Sequence, residues 1–277
     1  MKSIVRIIFA FVMTFAVAAC SKGSGEDDGN HSGNADTLFT KNVLVMEFVS
    51  FDCVYCPHVS DLLKEAADTK YPGRIDLISV HGRLNDVDPL EFSSYKQFQN
   101  YFYGVTGYPA VIIDQRDDLV SVGTFDAGGS AFQERINAKS VIGIALHSTI
   151  TGENTVNVEV KISNKGAESA DYRLAVAVLE NDIPYKQANQ VDGVLQWIDD
   201  YHHGHVLRAY LSSNYFGDAI GTLAKNGLYS KTFTYNIPGG YKKEKLSFVA
   251  YVLEAKGFSP RAAVNSRSAN IGEGVDF

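Results

Sequence analysis

Glu47 is a lone carboxylate in an otherwise apolar run, Val43-Leu44-Val45-Met46-Glu47-Phe48-Val49, and six residues later Cys53-Val54-Tyr55-Cys56 begins. A buried strand that enters C-x-x-C and passes at once into a helix leaves few folds open. It sets one thiol at a helix N-terminus and a carboxylate beneath it. At that position Cys53 is favoured as thiolate by free N–H groups and the helix dipole. Cys56, one turn in, is shielded and suited to resolve a mixed disulfide. Pro57 lacks an N–H, which costs nothing in a first helical turn. Glu47, buried with no partner in view, is expected to have a raised pKa and to take the proton of Cys56. Asp52 opposes thiolate formation. Other readings of the pair stand beside this one. The thiols can form a static disulfide in a fold kept for binding, or join His58 in a metal site, although only three ligands are in view. A c-type haem needs C-x-x-C-H, and Pro57 breaks that pattern.

The first residues read as a leader. Lys2 and Arg6 precede the apolar run Ile7 to Val17, which is followed by Val17-Ala18-Ala19-Cys20. At roughly ten residues the run is too short to span a membrane and fits a signal peptide, residues 1–19. The small-small-Cys ending resembles a bacterial lipobox, which implies acylation of Cys20. Of three cysteines in the chain, that leaves Cys53 and Cys56 alone, so the exported chain is no disulfide scaffold. Residues 20–37 read as a flexible tether with a reach of about 20–25 Å. Its Glu26-Asp27-Asp28 cluster is either a solvated linker or a tag for the outer face of the outer membrane. A formal net charge of −7 gives no electrostatic reason to bind nucleic acid.

From Val43 to about Lys139 strands and helices alternate. After Val43–Val49 comes a helix from Pro57 with Val59, Leu62, Leu63, Ala66 and Ala67 on one face. Ile75–Val80 is a second strand. Asp88-Pro89 with Glu91 predicts the start of another helix, carrying Phe92, Tyr95, Phe98 and Phe102. Gly107-Tyr108-Pro109 leads into the strand Ala110–Ile113. A turn at Asp117-Asp118, a strand Leu119–Val122 and a helix from Ser130 follow, giving the order β-α-β-α-β-β-α. Beyond about Val141 the period changes to two: Val156, Val158, Val160 and Ile162 alternate with Asn157, Glu159 and Lys161. Further strands are expected at Tyr172–Leu179, Val206–Leu211, Tyr229–Tyr235, Leu246–Leu253 and Ala262–Asn265. Many short strands over about 130 residues suggest an immunoglobulin-type β-sandwich. The expected domains are thus 38–140, α/β, and 141–277, all-β.

Glu47, Phe48, Cys53, Cys56 and the dipeptide Tyr108-Pro109 before the third strand resemble the thioredoxin superfamily. That resemblance implies a cis Pro109 which, with Tyr108, docks an extended substrate against Cys53. Val54-Tyr55 and Asp52 depart from the family's pattern, so a redox potential cannot be carried over. Over residues 38 to about 272, the lipobox, the strand–Glu–Phe–C-x-x-C-Pro unit, the Gly-Tyr-Pro strand and the segments VNVEVKISN, HVLRAYL and FTYNIP together look like one family. It is the outer-membrane-protein-twenty-eight-related lipoproteins of Gram-negative bacteria. The resemblance implies an outer-membrane lipoprotein with a thioredoxin-like domain followed by an immunoglobulin-like sandwich.

The expected function is a membrane-anchored extracytoplasmic thiol–disulfide oxidoreductase using Cys53, Cys56, Glu47 and Pro109 on client or redox-partner proteins. The alternative is a non-catalytic surface lipoprotein whose sandwich binds a protein or glycan partner. His202, His203 and His205 lie close enough in sequence to bind a metal, but loop-end histidines more often bond to nearby backbone. No metal site and no cofactor are assigned.

Overall fold

Four consecutive valine or isoleucine positions on one side of a strand can be stable only against a second apolar surface. In the computed structural model Val156, Val158, Val160 and Ile162 are fully buried, each contributing about 1.5–3 kcal/mol of apolar burial. The model describes residues 38–102, 105–115, 119–120, 130–166, 170–255 and 262–277. The leader, the tether with Cys20 and its acidic cluster, and the turn at Asp117-Asp118 lie outside the described residues.

In chain order the first half holds β1 (Phe39–Thr40), β2 (Val43–Val49), α1 (Cys56–Glu65), β3 (Ile75–His81), α2 (Tyr95–Tyr101), β4 (Ala110–Ile113), β5 (Leu119–Val120), α3 (Ser130–Asn137) and β6 (Lys139–Ser140). The second half holds β7 (Ile142–Ile150), β8 (Thr155–Asn164), β9 (Ala170–Glu180), β10 (Ile183–Val191), β11 (Val194–His203), β12 (Val206–Tyr210), β13 (Asp218–Leu223), β14 (Leu228–Asn236), β15 (Leu246–Glu254), β16 (Ala263–Asn270) and β17 (Gly274–Val275). Most of the described chain is strand.

Strand β2 runs parallel to β3 and antiparallel to β4, which is antiparallel to β5. Residues β14-β8-β7-β17 form a four-stranded sheet that packs its apolar side on β9 and β15, through Ile144, Val158, Val176 and Phe248 among others. The composition change near residue 140 is real, yet it does not divide the sheet. Among the described residues nine strands form one sheet in the order β16-β15-β9-β12-β3-β2-β4-β5, with β13 also on β9. The join is the parallel pairing of Val206 with Ser79. Asp36–Phe277 is one compact unit.

The helix predicted from Asp88-Pro89 starts later, at Tyr95. Asp88 is diverted: its carboxylate accepts from Leu90 N and Phe51 N and meets His81, while Glu91 pairs with Arg83 in place of a capping box. The aromatic set survives the shift, because Phe92, Tyr95, Phe98 and Phe102 all enter one core cluster.

A buried amide ties the halves together. Asn265 Oδ1 accepts from Asn42 N at 2.8 Å, and its Nδ2 donates to Ile142 O at 2.7 Å and Thr40 O at 3.2 Å. Asn265→Ala removes the hydrogen bonds to the stretch Thr40–Asn42 and to Ile142. It should lower unfolding free energy by about 2–4 kcal/mol in urea titration, and an effect under about 0.5 kcal/mol would show that water replaces the amide.

Candidate functional site

Cys53 and Cys56 form a disulfide with their Cα atoms 5.4 Å apart. Helix α1 begins at Cys56 with Pro57 in its first turn, so Cys53 stands in the turn ahead of the helix, its carbonyl accepting from Cys56 N at 3.3 Å. Both cysteines are almost fully buried, at 1% and 2% exposure. Val49 and Tyr108 pack against them, and the Tyr108–Pro109 peptide is cis, the isomer the resemblance implied.

Glu47 lies on the side of β2 that faces α1. The expectation of a carboxylate without a partner is corrected: Ser60 donates to Oε2 at 2.8 Å and Ser79 donates to Oε1. Ser60 is one turn after Cys56, on the same face of α1. Burial pushes the Glu47 carboxyl above its ordinary range, and the two serines oppose that shift without cancelling it.

Glu47 shares a cavity of about 330 Å³ with Ser79 and His81 of β3, Asp61 of α1, and Tyr201 and His203 of β11. His81 Nδ1 meets Asp88 Oδ2 at 2.8 Å, both side chains buried. Burial works to raise Asp88, but His81 and the N–H groups of Leu90 and Phe51 outweigh it and hold the carboxyl low. Asp52 has donors of its own: Ser50 Oγ at 2.6 Å, Asn85 N at 2.9 Å and Asp86 N at 3.0 Å. Its carboxyl is held low.

The three histidines that lie close in sequence do not form a metal site. His202 is exposed and meets Asp182. His203 points the other way, with its ring edge-on to His81 at 5.1 Å between centroids, and its Nε2 is buried with no hydrogen-bond partner. Among the described residues no group of three or more His, Cys, Asp or Glu side chains is placed to hold a metal ion.

What the sequence reading missed is the hairpin β10–β11, which closes over the disulfide loop. Ala188 N donates to Phe51 O at 2.7 Å. Gln187 Nε2 reaches Cys53 O at 3.0 Å and Ser50 O at 3.3 Å, and Phe51 packs against Tyr185 and Trp197. Its signal was the turn pair Asp192-Gly193, both residues at positive φ.

Residues 95–275 match the model of a family described as outer membrane protein Omp28. The chain belongs to the Omp28 family. It is accordingly an outer-membrane protein, in agreement with the lipid-anchored localisation expected from its sequence, and among the described residues no helix is long and apolar enough to cross a membrane. The Omp28 match includes the hairpin and Pro109 but starts beyond Glu47 and both cysteines. HBP35 of Porphyromonas gingivalis is similar in structure, with a TM-score of 0.65 and 19% identity over 84% of this chain and 76% of that one. The fold is shared. A domain of the outer membrane lipoprotein Omp28 from the same organism matches with 19% identity and a TM-score of 0.33, over 48% of this chain and 89% of that one. No curated protein matches.

His203 makes the site sensitive to acid. Burial lowers its pKa from 6.5 to about 3, the nearby His81 adds to this, and Asp88 and the backbone carbonyls of Tyr185 and Lys186 work against it. The unfolded chain therefore takes up this proton first, and stability present above about pH 6.5 is lost as pH falls towards 3. Glu47, raised, acts in the opposite sense and is common to both proteins in a comparison with His203→Phe. The variant should lose less melting temperature than the wild type between about pH 7 and about pH 4. Parallel curves would remove His203 from the acid response.

Proposed function

We propose that this Omp28-family protein is a lipid-anchored, thioredoxin-like thiol–disulfide protein, held at the outer membrane through Cys20, with an immunoglobulin-like sandwich as its second half. The thioredoxin-like reading of residues 38–140 is supported by the order β3-β2-β4-β5, by the parallel first pair and antiparallel remainder, and by α1 directly after the cysteine loop. The sandwich reading of residues 141–277 is supported by the two packed sheets.

The observation that carries the redox reading is the Glu47–Ser60 hydrogen bond one turn below Cys56. In the reduced protein, Cys53 thiolate attacks a partner disulfide and releases one partner thiolate, which takes a proton from water. Cys56 then gives its proton to ionised Glu47, directly or through Ser60, and its sulfur attacks Cys53. The Cys53–Cys56 disulfide forms as the bond to the partner breaks, and the second partner sulfur leaves with the proton. The pair is oxidised by two electrons and the partner reduced by two. Run backwards, the same steps oxidise a partner dithiol. A carboxyl with a raised pKa exchanges this proton more readily near neutral pH than an ordinary one.

One observation favours a different reading, in which the disulfide is structural and the sandwich binds a protein or glycan at the cell surface: both cysteines are buried. The reduction potential separates the two. A value below about −300 mV marks a structural bond, and a higher value a working one.

Glu47→Gln keeps the volume and the serine contacts but cannot accept the proton. The variant should melt close to the wild type and exchange disulfides about tenfold to a hundredfold more slowly. A variant that loses stability and keeps its exchange rate would make Glu47 a structural residue.

A further inference from the structure

The hairpin over the disulfide belongs to neither main sheet. Among the described residues strands β10 and β11 pair only with each other. The hairpin departs through Asn181 and Asp182, the latter at φ 59°, and returns through Gly204 and His205, the latter at φ 54°. The two ends are tied together where His205 N donates to Asn181 Oδ1 at 2.8 Å. Lifting this ribbon as a unit would break no rung of the β9–β12 pairing on which it is rooted.

What it covers is a row of main-chain acceptors. From the hairpin the carbonyls of Ser50, Phe51 and Cys53 receive one backbone N–H, from Ala188 to Phe51, and one primary amide, from Gln187 to Ser50 and Cys53, the latter two also accepting from Cys53 N and Cys56 N within the loop. Such acceptors recognise an extended backbone and not a particular sequence. The register of β10 with β11 slips between Tyr185 and Gln187. Lys186, in that irregular stretch, has its ammonium 4.8 Å from the Trp197 ring and 5.7 Å from the Phe51 ring. A bulge of this kind re-aims the residues beside it, and here Gln187 and Ala188 face the loop.

In the closed arrangement His203 of β11 is buried, at 4% exposure, with its ring edge-on to His81. The far end of the ribbon is exposed and apolar, at Val191, Val194, Leu195 and Trp197, a surface on which a polypeptide can gain a first hold before it displaces β10.

We propose that the Ser50–Cys53 loop is an acceptor site for an extended polypeptide strand, and that β10 is its resident occupant, which a partner chain displaces. The partner class is a non-native or extended segment that offers a main-chain N–H to Phe51 O, with a small side chain at that residue and a preceding amide to reach Cys53 O. This names the partner for the redox reading above and rests on that reading only for what happens after displacement.

The test uses the complete mature chain with variants Gln187→Ala and Ala188→Pro, the second removing the N–H given to Phe51. The probe is a fluorescent peptide of residues 183–191, read by anisotropy, and a twin peptide with proline at the alanine position. In parallel, Cys53–Cys56 is reduced with a water-soluble phosphine and the free thiols are counted by mass. Loosening the resident strand should raise the reduction rate about tenfold and produce binding of the alanine peptide but not of its proline twin. The wild type should bind at least about tenfold more weakly, because its site is filled. Should Ala188→Pro fail to fold, Gln187→Ala carries the same expectations with its backbone unchanged. Unchanged reduction rates in a folded variant, or equal binding of the two peptides, would overturn the proposal; so would binding of lipid vesicles by the ribbon end with no peptide binding. A small phosphine reads exposure alone. A loosened chain that binds the peptide yet exchanges no disulfide with proteins keeps this inference and removes the redox reading.

Discussion

Ser79 is the residue on which the arrangement turns. Its N–H donates to His205 O at 2.8 Å, joining β3 to the second half of the chain, and its hydroxyl holds Glu47. With β2 on one edge of β3 and β12 on the other, the strand has no open edge at this level. Without that join β3 would be an exposed edge with unpaired backbone groups, and Glu47 would meet water from the side. The raised pKa of Glu47 is thus a product of both halves. So is the cavity, since Tyr201 and His203 come from the far side of the residue-140 boundary. The two halves are distinct in sequence pattern, but the site belongs to their shared sheet.

Two buried carboxyls have opposite fates, Glu47 in the cavity and Asp88 bonded to His81 of its lining, and the difference lies in their donors. Asp88 has two backbone N–H groups and a histidine, enough to outweigh burial, so it stays ionised and acts as a fixed clamp between Phe51 of the cysteine loop and His81 of β3. Glu47 has two serine hydroxyls and no cation bonded to it, so desolvation prevails and its proton is held more tightly. Pairs of acids pushed apart in this way commonly divide the work, one anchoring and one exchanging protons. The clamp also explains why the predicted helix start failed at Asp88. A capping signature is local, whereas its aspartate had a better offer from a histidine on another strand.

Legibility in the sequence followed burial. Strand β2 was readable because both its faces are covered, and β8 because one face is, which imprints period two on Val156 to Ile162. The cysteine pair and the following helix were readable because each depends on residues close in sequence, whereas the cis Tyr108–Pro109 was expected only from the resemblance. The ribbon β10–β11 was not read. It lies over the surface with most of its residues at least partly exposed, so no hydrophobic period marks it, and only Asp192-Gly193 signals the turn. The directions of the histidines could not be read for the same reason. Three in four residues look like a cluster, but alternation along β11 sends His202 out to Asp182 and His203 in towards His81, a separation that exists only once the strand is known.

Burial of the disulfide also has to be assigned to its cause. Had Cys53 and Cys56 been sealed by α1 and β2 alone, burial would be a property of the core and the bond would be structural. The loop that carries them is held in addition by a hairpin from more than a hundred residues away, through one backbone hydrogen bond, one glutamine, and Tyr185, Trp197 and Lys186 against Phe51. Contacts of that number can be exchanged for those of another chain, since a competing strand supplies the same N–H to the same carbonyl. The ribbon has its own pairing, β10 with β11, and its root lies on the β9–β12 pair; neither pairing uses the cysteine loop, and that independence is what a displaceable cover requires.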